Sequence, residues 1–360
     1  RYVGWDQGRS APVVMAANPA QQVKTDWLLT GEVTVDGPRG AIVCRPVFDH
    51  YYALCADWTP ERTAEVTGVP ADQIRDTARL LWASRPVSYY VWSGVGQHTN
   101  ATQTDRAISI LYSLLGSIGS SGGNQQPAGV PLNDVSGHEF VTDVQRSKTL
   151  GLQERPLGPP KNGWCTSRDL YHSILEGEPY RVRALLGFGQ NLIISHGGVE
   201  RGIEALKALE FHVHTDIFLT PTASYADIVL PVNTAWERDS LRVGFEITDA
   251  ASGWVQFRHA AVESAGESHY DGWMVFELAK RLGLSDVFWG GDMDAAWREW
   301  LAPSGVELDE LKRNPRGIQL AVQTPLAPHL VDGFKTPTGR IEIWSHTFQV
   351  HGQNPLPSFV

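Results

Sequence analysis

Cysteine is scarce. Three residues, Cys44, Cys55 and Cys165, are spread over 360 positions without a C-x-x-C pair. That spacing excludes a zinc ribbon or an iron–sulfur run within this chain, and the odd count gives no disulfide framework. Long apolar runs are also missing. No stretch of about 18 apolar residues occurs, so no transmembrane helix is expected. Positive charge is not in excess. Thirty Lys and Arg against forty Asp and Glu leave a formal net charge of −10. This argues against nucleic acid or an anionic membrane surface as the main partner. An anionic ligand would need a local set of cations or N–H groups within that acidic background. The sequence opens on Arg1, with neither an initiator Met nor a signal peptide. It reads as an excised piece, and the compartment, cytoplasmic or periplasmic, stays open. No internal repeat is visible, and the one biased tract is a Gly/Pro-rich loop.

What is present is globular. Hydrophobic residues make up 42% and charged residues 19%, enough for two ordinary domains or one large α/β unit. Thirteen Trp suit a large interior with ring-lined cavities.

The most informative stretch runs from Phe211 to Arg238, FHVHTDIFLTPTASYADIVLPVNTAWER. Phe211–Val213 and Ile228–Leu230 are apolar runs too short for helices, and each reads as a buried strand. The first ends at Thr215-Asp216. In an open parallel sheet, ligands sit beyond the carboxyl ends of the strands, where an acid can accept hydrogen bonds from a base edge or a ribose. Asp216 equally suits an Asx turn. His212 and His214 alternate and so share one strand face. Without a third ligand in reach they read as part of a partly polar sheet face rather than a zinc site.

The string D-x-F-x-T-x-T-A-x-x-A-D-I-V-L-P followed by W-E-R resembles the molybdopterin oxidoreductases of the dimethyl-sulfoxide-reductase family. The resemblance implies one molybdenum or tungsten atom held between two molybdopterin guanine dinucleotides. Further motifs follow in the family's order over residues 45–350. Thr59-Pro60-Glu61 starts a helix that Gly68 stops, and Val69-Pro70 opens a second, a helical pair similar to the family's. Pro86–Trp92 (PVSYYVW) reads as a strand. It enters the loop Ser93-Gly94-Val95-Gly96-Gln97-His98, after which a helix carries Ile108, Leu111 and Leu115 on one face. A glycine loop before a helix presents N–H groups to an anion, although such loops also serve as plain turns. W-x-G-x-x-Q-H is similar to the loop that lines the metal cofactor in the family. Gln97 would then bond the pterin or its phosphate, with Ser93 and Gly94 assisting. His98 is the one catalytic candidate, as a proton donor. A helix-start histidine bonding backbone is the plainer reading.

Gly119–Pro160 is a long Gly/Pro loop, opening Gly119-Ser120-Ser121-Gly122-Gly123-Asn124 in resemblance to the family's G-x-x-G-G-N. His138 and Glu139 within it read as solvated or structural. Ser167 is expected to cap a short helix. Arg181–Phe188 is the next strand, ending in Gly189-Gln190-Asn191, and a helix through Ile203, Leu206 and Leu209 leads back to Phe211. This is a right-handed βαβ unit. The family reads G-x-N-P here; Leu192 replaces the Pro. By resemblance Asn191 touches the nucleotide, or else it is a turn residue. Arg238 has two parallel N–H donors for a phosphate, or a surface ion pair with Glu237 or Asp239. The segment Glu263–Asp271 resembles the family's P-x-G-E-x-x-x-D, and Asp271 would both start a helix and meet the guanine nucleotide. Phe334–Ser345 (FKTPTGRIEIWS) reads as a hairpin about Thr338-Gly339, similar to the family's F-x-T-P-T-G-K-I-E.

The expected fold is α/β: Rossmann-like, a mostly parallel sheet with helices on both faces and a long Gly/Pro loop insertion. Residues 1–85 would close a preceding α/β domain with its helical pair, 86–332 would bind the dinucleotide cofactor, and 333–360 would form a hairpin and linker. The resemblance places the iron–sulfur cluster, the metal-ligating residue and the other nucleotide site upstream, and a β-rich domain downstream. Those missing parts of the same enzyme, and an electron-transfer iron–sulfur subunit, are the implied partners. The implied activity is two-electron redox or oxygen-atom transfer, with Ser93, Gly94, Gln97, Asn191, Thr215, Asp216, Arg238 and Asp271 as contacts to one dinucleotide. A non-catalytic scaffold keeping the fold without cofactor is the alternative. An NAD-dependent dehydrogenase would need a G-x-G-x-x-G with an acid about 20 residues on, and has none.

Overall fold

In the computed structural model, residues 2–16, 18, 21–245 and 247–360 are described. The chain divides into two compact units, Arg1–Ala128 with Gln323–Val360, and Gly129–Val322.

In the first unit, strands β1 (Val3–Asp6) and β2 (Ala11–Val14) pair antiparallel, as do β3 (Val33–Gly37) and β4 (Gly40–Cys44). The second pair is the hairpin expected near Asp36-Gly37. Helix α1 spans Val47–Asp57, α2 Pro60–Thr67 and α3 Ala71–Ala83. The punctuation of α2 is as the sequence dictates. The Thr59 hydroxyl accepts the Arg62 N–H at 3.2 Å, and Gly68 turns the chain at φ 75°, a conformation that costs glycine little. Helix α4 (Ala101–Leu114) is clasped by the C-terminal residues. Arg106 donates to the carbonyls of Ile343 (3.0 Å) and Pro355 (2.8 Å) and lies over the Phe348 ring. Gln103 donates to the Asn354 carbonyl and Asn100 to that of Ser358.

One expected strand and one expected hairpin in this unit do not form. Pro86–Trp92 is extended but joins no ladder among the described residues. Side chains stand in for a neighbouring strand. The Tyr89 N–H donates to Asn124 Oδ1 at 2.8 Å, the Asn124 amide returns a bond to the Tyr89 carbonyl at 3.0 Å, and Ser117 Oγ accepts from Val87. Phe334–Ser345 is a turn rather than a hairpin, closed by the Phe334 N–H on the Gly339 carbonyl at 2.9 Å. The Thr336 and Thr338 hydroxyls both bond the Arg340 carbonyl, which removes an acceptor a ladder would use.

The second unit contains α5 (Asp143–Ser147), α6 (Ser167–Leu175), β5 (Ala184–Phe188), α7 (Leu192–Ser195), α8 (Val199–Ala208), β6 (Phe211–Asp216) and β7 (Ile228–Pro231). It continues through β8 (Ser240–Val243), α9 (Asp249–Ser252), β9 (Trp254–Arg258), α10 (Asp271–Arg281), α11 (Met293–Leu301), α12 (Leu308–Arg313) and β10 (Ile318–Gln319). Helix α6 is capped one residue earlier than read: Thr166 is the N-cap, in a reciprocal box with Asp169. Asp169 also pairs with Arg155, which ties the long loop to this helix. Strands β5, β6 and β7 form a parallel sheet, with Ala184 opposite Phe211 and Val213 opposite Ile228. Helix α8 covers it through Leu206, packed with Leu192, Ile193 and Leu185. The α/β class holds. Among the described residues parallel pairing is confined to these three strands; β8, β9 and β10 pair antiparallel, and the short link through α9 between β8 and β9 leaves no room for a crossover there. The main core of the unit lies under that second sheet, with Val255, Leu301, Leu308 and Leu311 fully buried.

Candidate functional site

At the carboxyl end of the parallel sheet, β5 and β6 stop side by side. The Gly189 N–H donates to the Thr215 carbonyl at 2.8 Å, so Gly189-Gln190-Asn191 turns off the sheet beside Thr215-Asp216. Asn191 precedes α7 with φ −112°. It is therefore not the left-handed turn residue that was its plainer reading. Its Oδ1 accepts a hydrogen bond from Thr222 at 2.9 Å, and its amide N–H groups bond no described residue.

Strand alternation sends Thr215 and Asp216 to opposite faces. The Thr215 hydroxyl, fully buried, donates to Asp271 Oδ1 at 2.9 Å. Thr215 thereby fixes a carboxylate and has no proton left to donate elsewhere. Asp271 is the first residue of α10, with Tyr270 as N-cap, so the expected cap position shifts by one residue. A carboxylate there still meets the favourable end of the helix dipole. Asp216 Oδ1 accepts the Phe218 N–H at 3.0 Å, the Asx turn weighed from sequence. Its Oδ2 lies 3.7 Å from His214 Nε2.

Beyond β7 the chain continues along the segment after β9. Asn233 N–H donates to the His269 carbonyl, and Val232 bridges His269 in parallel. Arg238 lies over the Tyr270 ring at 5.7 Å. Neither Glu237 nor Asp239 pairs with it. Glu237 accepts from the backbone of Thr234 and Ala265, and Asp239 from that of Ala260. Among the described residues Arg238 forms no ion pair, and its buried Nε has no partner; Asn233 Oδ1 and Ser268 Oγ are likewise buried and unpaired. Buried polar atoms normally find partners, and these three lie on one short stretch of the unit.

In the other unit, Ser93, Gly94 and Gln97 lie exposed on one turn ahead of α4. Gly94 has an ordinary φ of −55°, and a Cβ there would meet nothing within 4 Å. Neither backbone strain nor packing within the chain demands glycine at this position. His98 is exposed, and its ring bonds no described residue.

His212 and His214, read as part of a partly polar sheet face, lie on a face that is covered. Both are buried to 1% or less, 5.6 Å apart edge to face, and neither ring meets a partner at hydrogen-bond geometry. No group of three His, Cys, Asp or Glu able to hold a metal occurs among the described residues. Burial, reinforced by His214, holds His212 below its ordinary 6.5; the Tyr225 backbone and Asp227 oppose this more weakly. A histidine whose folded pKa is depressed stabilises the fold fully above its unfolded value, and that stability is lost as pH falls through about 6.5. Stability is therefore expected to fall as the pH is taken below about 6.5. His212→Gln should flatten that part of a ΔG-versus-pH profile measured by denaturant titration.

Sequence reasoning missed Thr222, Asn233, Ser268 and Tyr270. Only Thr222 carried a signal, its place within T-P-T-A, and its burial is what gives it a role.

These features define an α/β chain whose polar loops cluster where parallel strands end. The chain belongs to the molybdopterin oxidoreductase family, whose sequence model matches residues 47–281. It is 31% identical to dopamine dehydroxylase from Eggerthella lenta over 309 residues, which covers 79% of this chain and 29% of that protein. It is 29% identical to dimethyl sulfoxide reductase DmsA from Escherichia coli K12 over 315 residues, covering 80% and 37%. The structure of acetylene hydratase from Pelobacter acetylenicus superposes with a TM-score of 0.74 at 23% identity, over 87% of this chain and 46% of that one. The last likeness shows the fold. The chain spans less than half the length of each of these proteins. No described helix is long and apolar enough to cross a membrane.

Proposed function

We propose that this chain holds one molybdopterin guanine dinucleotide of a molybdenum or tungsten cofactor. The protein it serves would carry out two-electron redox or oxygen-atom transfer. The observation that carries the reading is the set of unspent donors: the Arg238 guanidinium without a carboxylate, and the Asn191 amide aimed away from its own anchor. Both suit phosphate oxygens. The Asp271 and Asp216 carboxylates suit the N–H edge of guanine; Gln97, which belongs to the other unit, has by itself the amide chemistry for a pterin or a phosphate. Gly94 leaves room that any side chain would fill. The donor chemistry thus fits the group.

When bound, the cofactor supplies the electron-transfer chemistry, while this chain positions it and balances its charge. On this reading β5, α8 and β6 are the start of a Rossmann-like half, residues 86–332 are the cofactor-holding region, and 1–85 and 333–360 flank it. The iron–sulfur cluster, the metal ligand and the second dinucleotide would come from other parts of the protein, with an electron-transfer subunit as partner.

Calorimetric titration of the chain with GDP tests the assignment. Saturable one-to-one binding that weakens with salt is the expected result. A flat titration would instead support a scaffold that keeps the fold without ligand.

A further inference from the structure

We infer that Thr222 is a positioning residue that sets which edge of Asn191 faces the ligand. The inference rests on the nucleotide reading above and deepens it. Thr222 is fully buried, on the turn after β6. Its oxygen accepts the Ile193 N–H at 3.1 Å, so the first turn of α7 holds the hydroxyl on one side. A hydroxyl has one proton to donate, and a buried donor without an acceptor is costly. That proton goes to Asn191 Oδ1 at 2.9 Å.

The carboxamide has two chemically opposite edges, and this bond consumes the accepting one. The two amide N–H groups are left facing away from Thr222. The site is thereby built to donate at this point. It selects an acceptor oxygen, of which a phosphate oxygen is the anionic case, and disfavours an N–H or a cation. Were Asn191 reversed, the Thr222 proton would have no acceptor and the ligand would meet a carbonyl oxygen. The specificity of Asn191 therefore resides in a residue that touches no ligand.

The test follows the Asn191 side-chain amide pair by NMR in asparagine-labelled chain, with and without GDP as probe. In the unliganded wild type the pair should be rigid, with a high heteronuclear NOE. Thr222→Val should bring it to the value of a mobile surface amide and weaken GDP binding about tenfold, while Thr222→Ser restores both. Asn191→Asp keeps the acceptor for Thr222 and removes the donors. It should fold as the wild type does and bind GDP at least tenfold more weakly. It decides the point should Thr222→Val fail to fold. An equally rigid Asn191 amide in Thr222→Val, or unchanged GDP affinity in Asn191→Asp, would overturn the inference. A rigid amide that loses its order in Thr222→Val, in a chain that ignores GDP, would retain the anchor and reject the nucleotide reading instead.

Discussion

Alanine at Gly123 is expected to destabilise the first unit by about 3 kcal/mol. A Cβ at this position would stand 2.0 Å from the Ser117 carbonyl oxygen and 2.8 Å from its carbon. Both atoms are backbone, so no rotamer change relieves the overlap. The same turn is closed by the Asn124 N–H on the Ser117 carbonyl at 2.8 Å and the Gly119 N–H on the Asn124 carbonyl at 2.7 Å. Forcing it open moves Asn124 and Ser117, the two side chains that hold Tyr89 and Val87. The damage should therefore reach the extended segment leading to Ser93–Gln97. Gly96→Ala is the control: its Cβ would meet nothing within 4 Å, and a change within about 0.5 kcal/mol is expected. Denaturant midpoints compare the two variants. An equal loss in both would mean that backbone crowding at Gly123 is not what the turn depends on.

The second large effect concerns affinity. Arg238→Met keeps the apolar stem and removes the guanidinium, with its 5.7 Å contact over the Tyr270 ring. With no ion pair to lose, stability should hold within about 0.5 kcal/mol. GDP affinity should fall tenfold to a hundredfold, about 1.4 to 2.8 kcal/mol, the range of a charge-assisted pair of hydrogen bonds to phosphate. Arg238→Lys should recover only part of it, because an ammonium cannot present two parallel donors. A residue serving in a surface ion pair would give the reverse pattern, lower stability with unchanged affinity.

The sequence showed its strands and helices best where the local code is self-contained. Thr59 and Gly68 frame α2 through their own backbone geometry, and the runs at Phe211 and Ile228 do form strands, but the second, read as buried, is exposed along its length because no described element covers it. It misled where a run rich in β-formers has no partner. Pro86–Trp92 has the composition of a strand, yet a ladder is a property of two segments, and Asn124 supplies only one position of it. Burial of His212 and His214 was illegible for a related reason: alternation says that two residues share a face, not what covers that face. At the candidate site, the residues flagged by motif in the second unit are Asn191, Thr215, Asp216, Arg238 and Asp271. What no motif displayed was the division of labour among them. Thr215 spends its hydroxyl on Asp271, Asp216 closes a turn, and Thr222 orients Asn191. Such roles depend on side chains distant in sequence.

The grip of Asn100, Gln103 and Arg106 on residues 343–358 has a consequence for biogenesis. Helix α4 emerges from the ribosome long before the residues that clasp it, and the whole of the second unit is translated in between. The second unit is contiguous and has its own core, so it can fold during synthesis. The contacts on α4 cannot form until residues 343–358 have emerged, which leaves that flank of α4 uncovered throughout the interval.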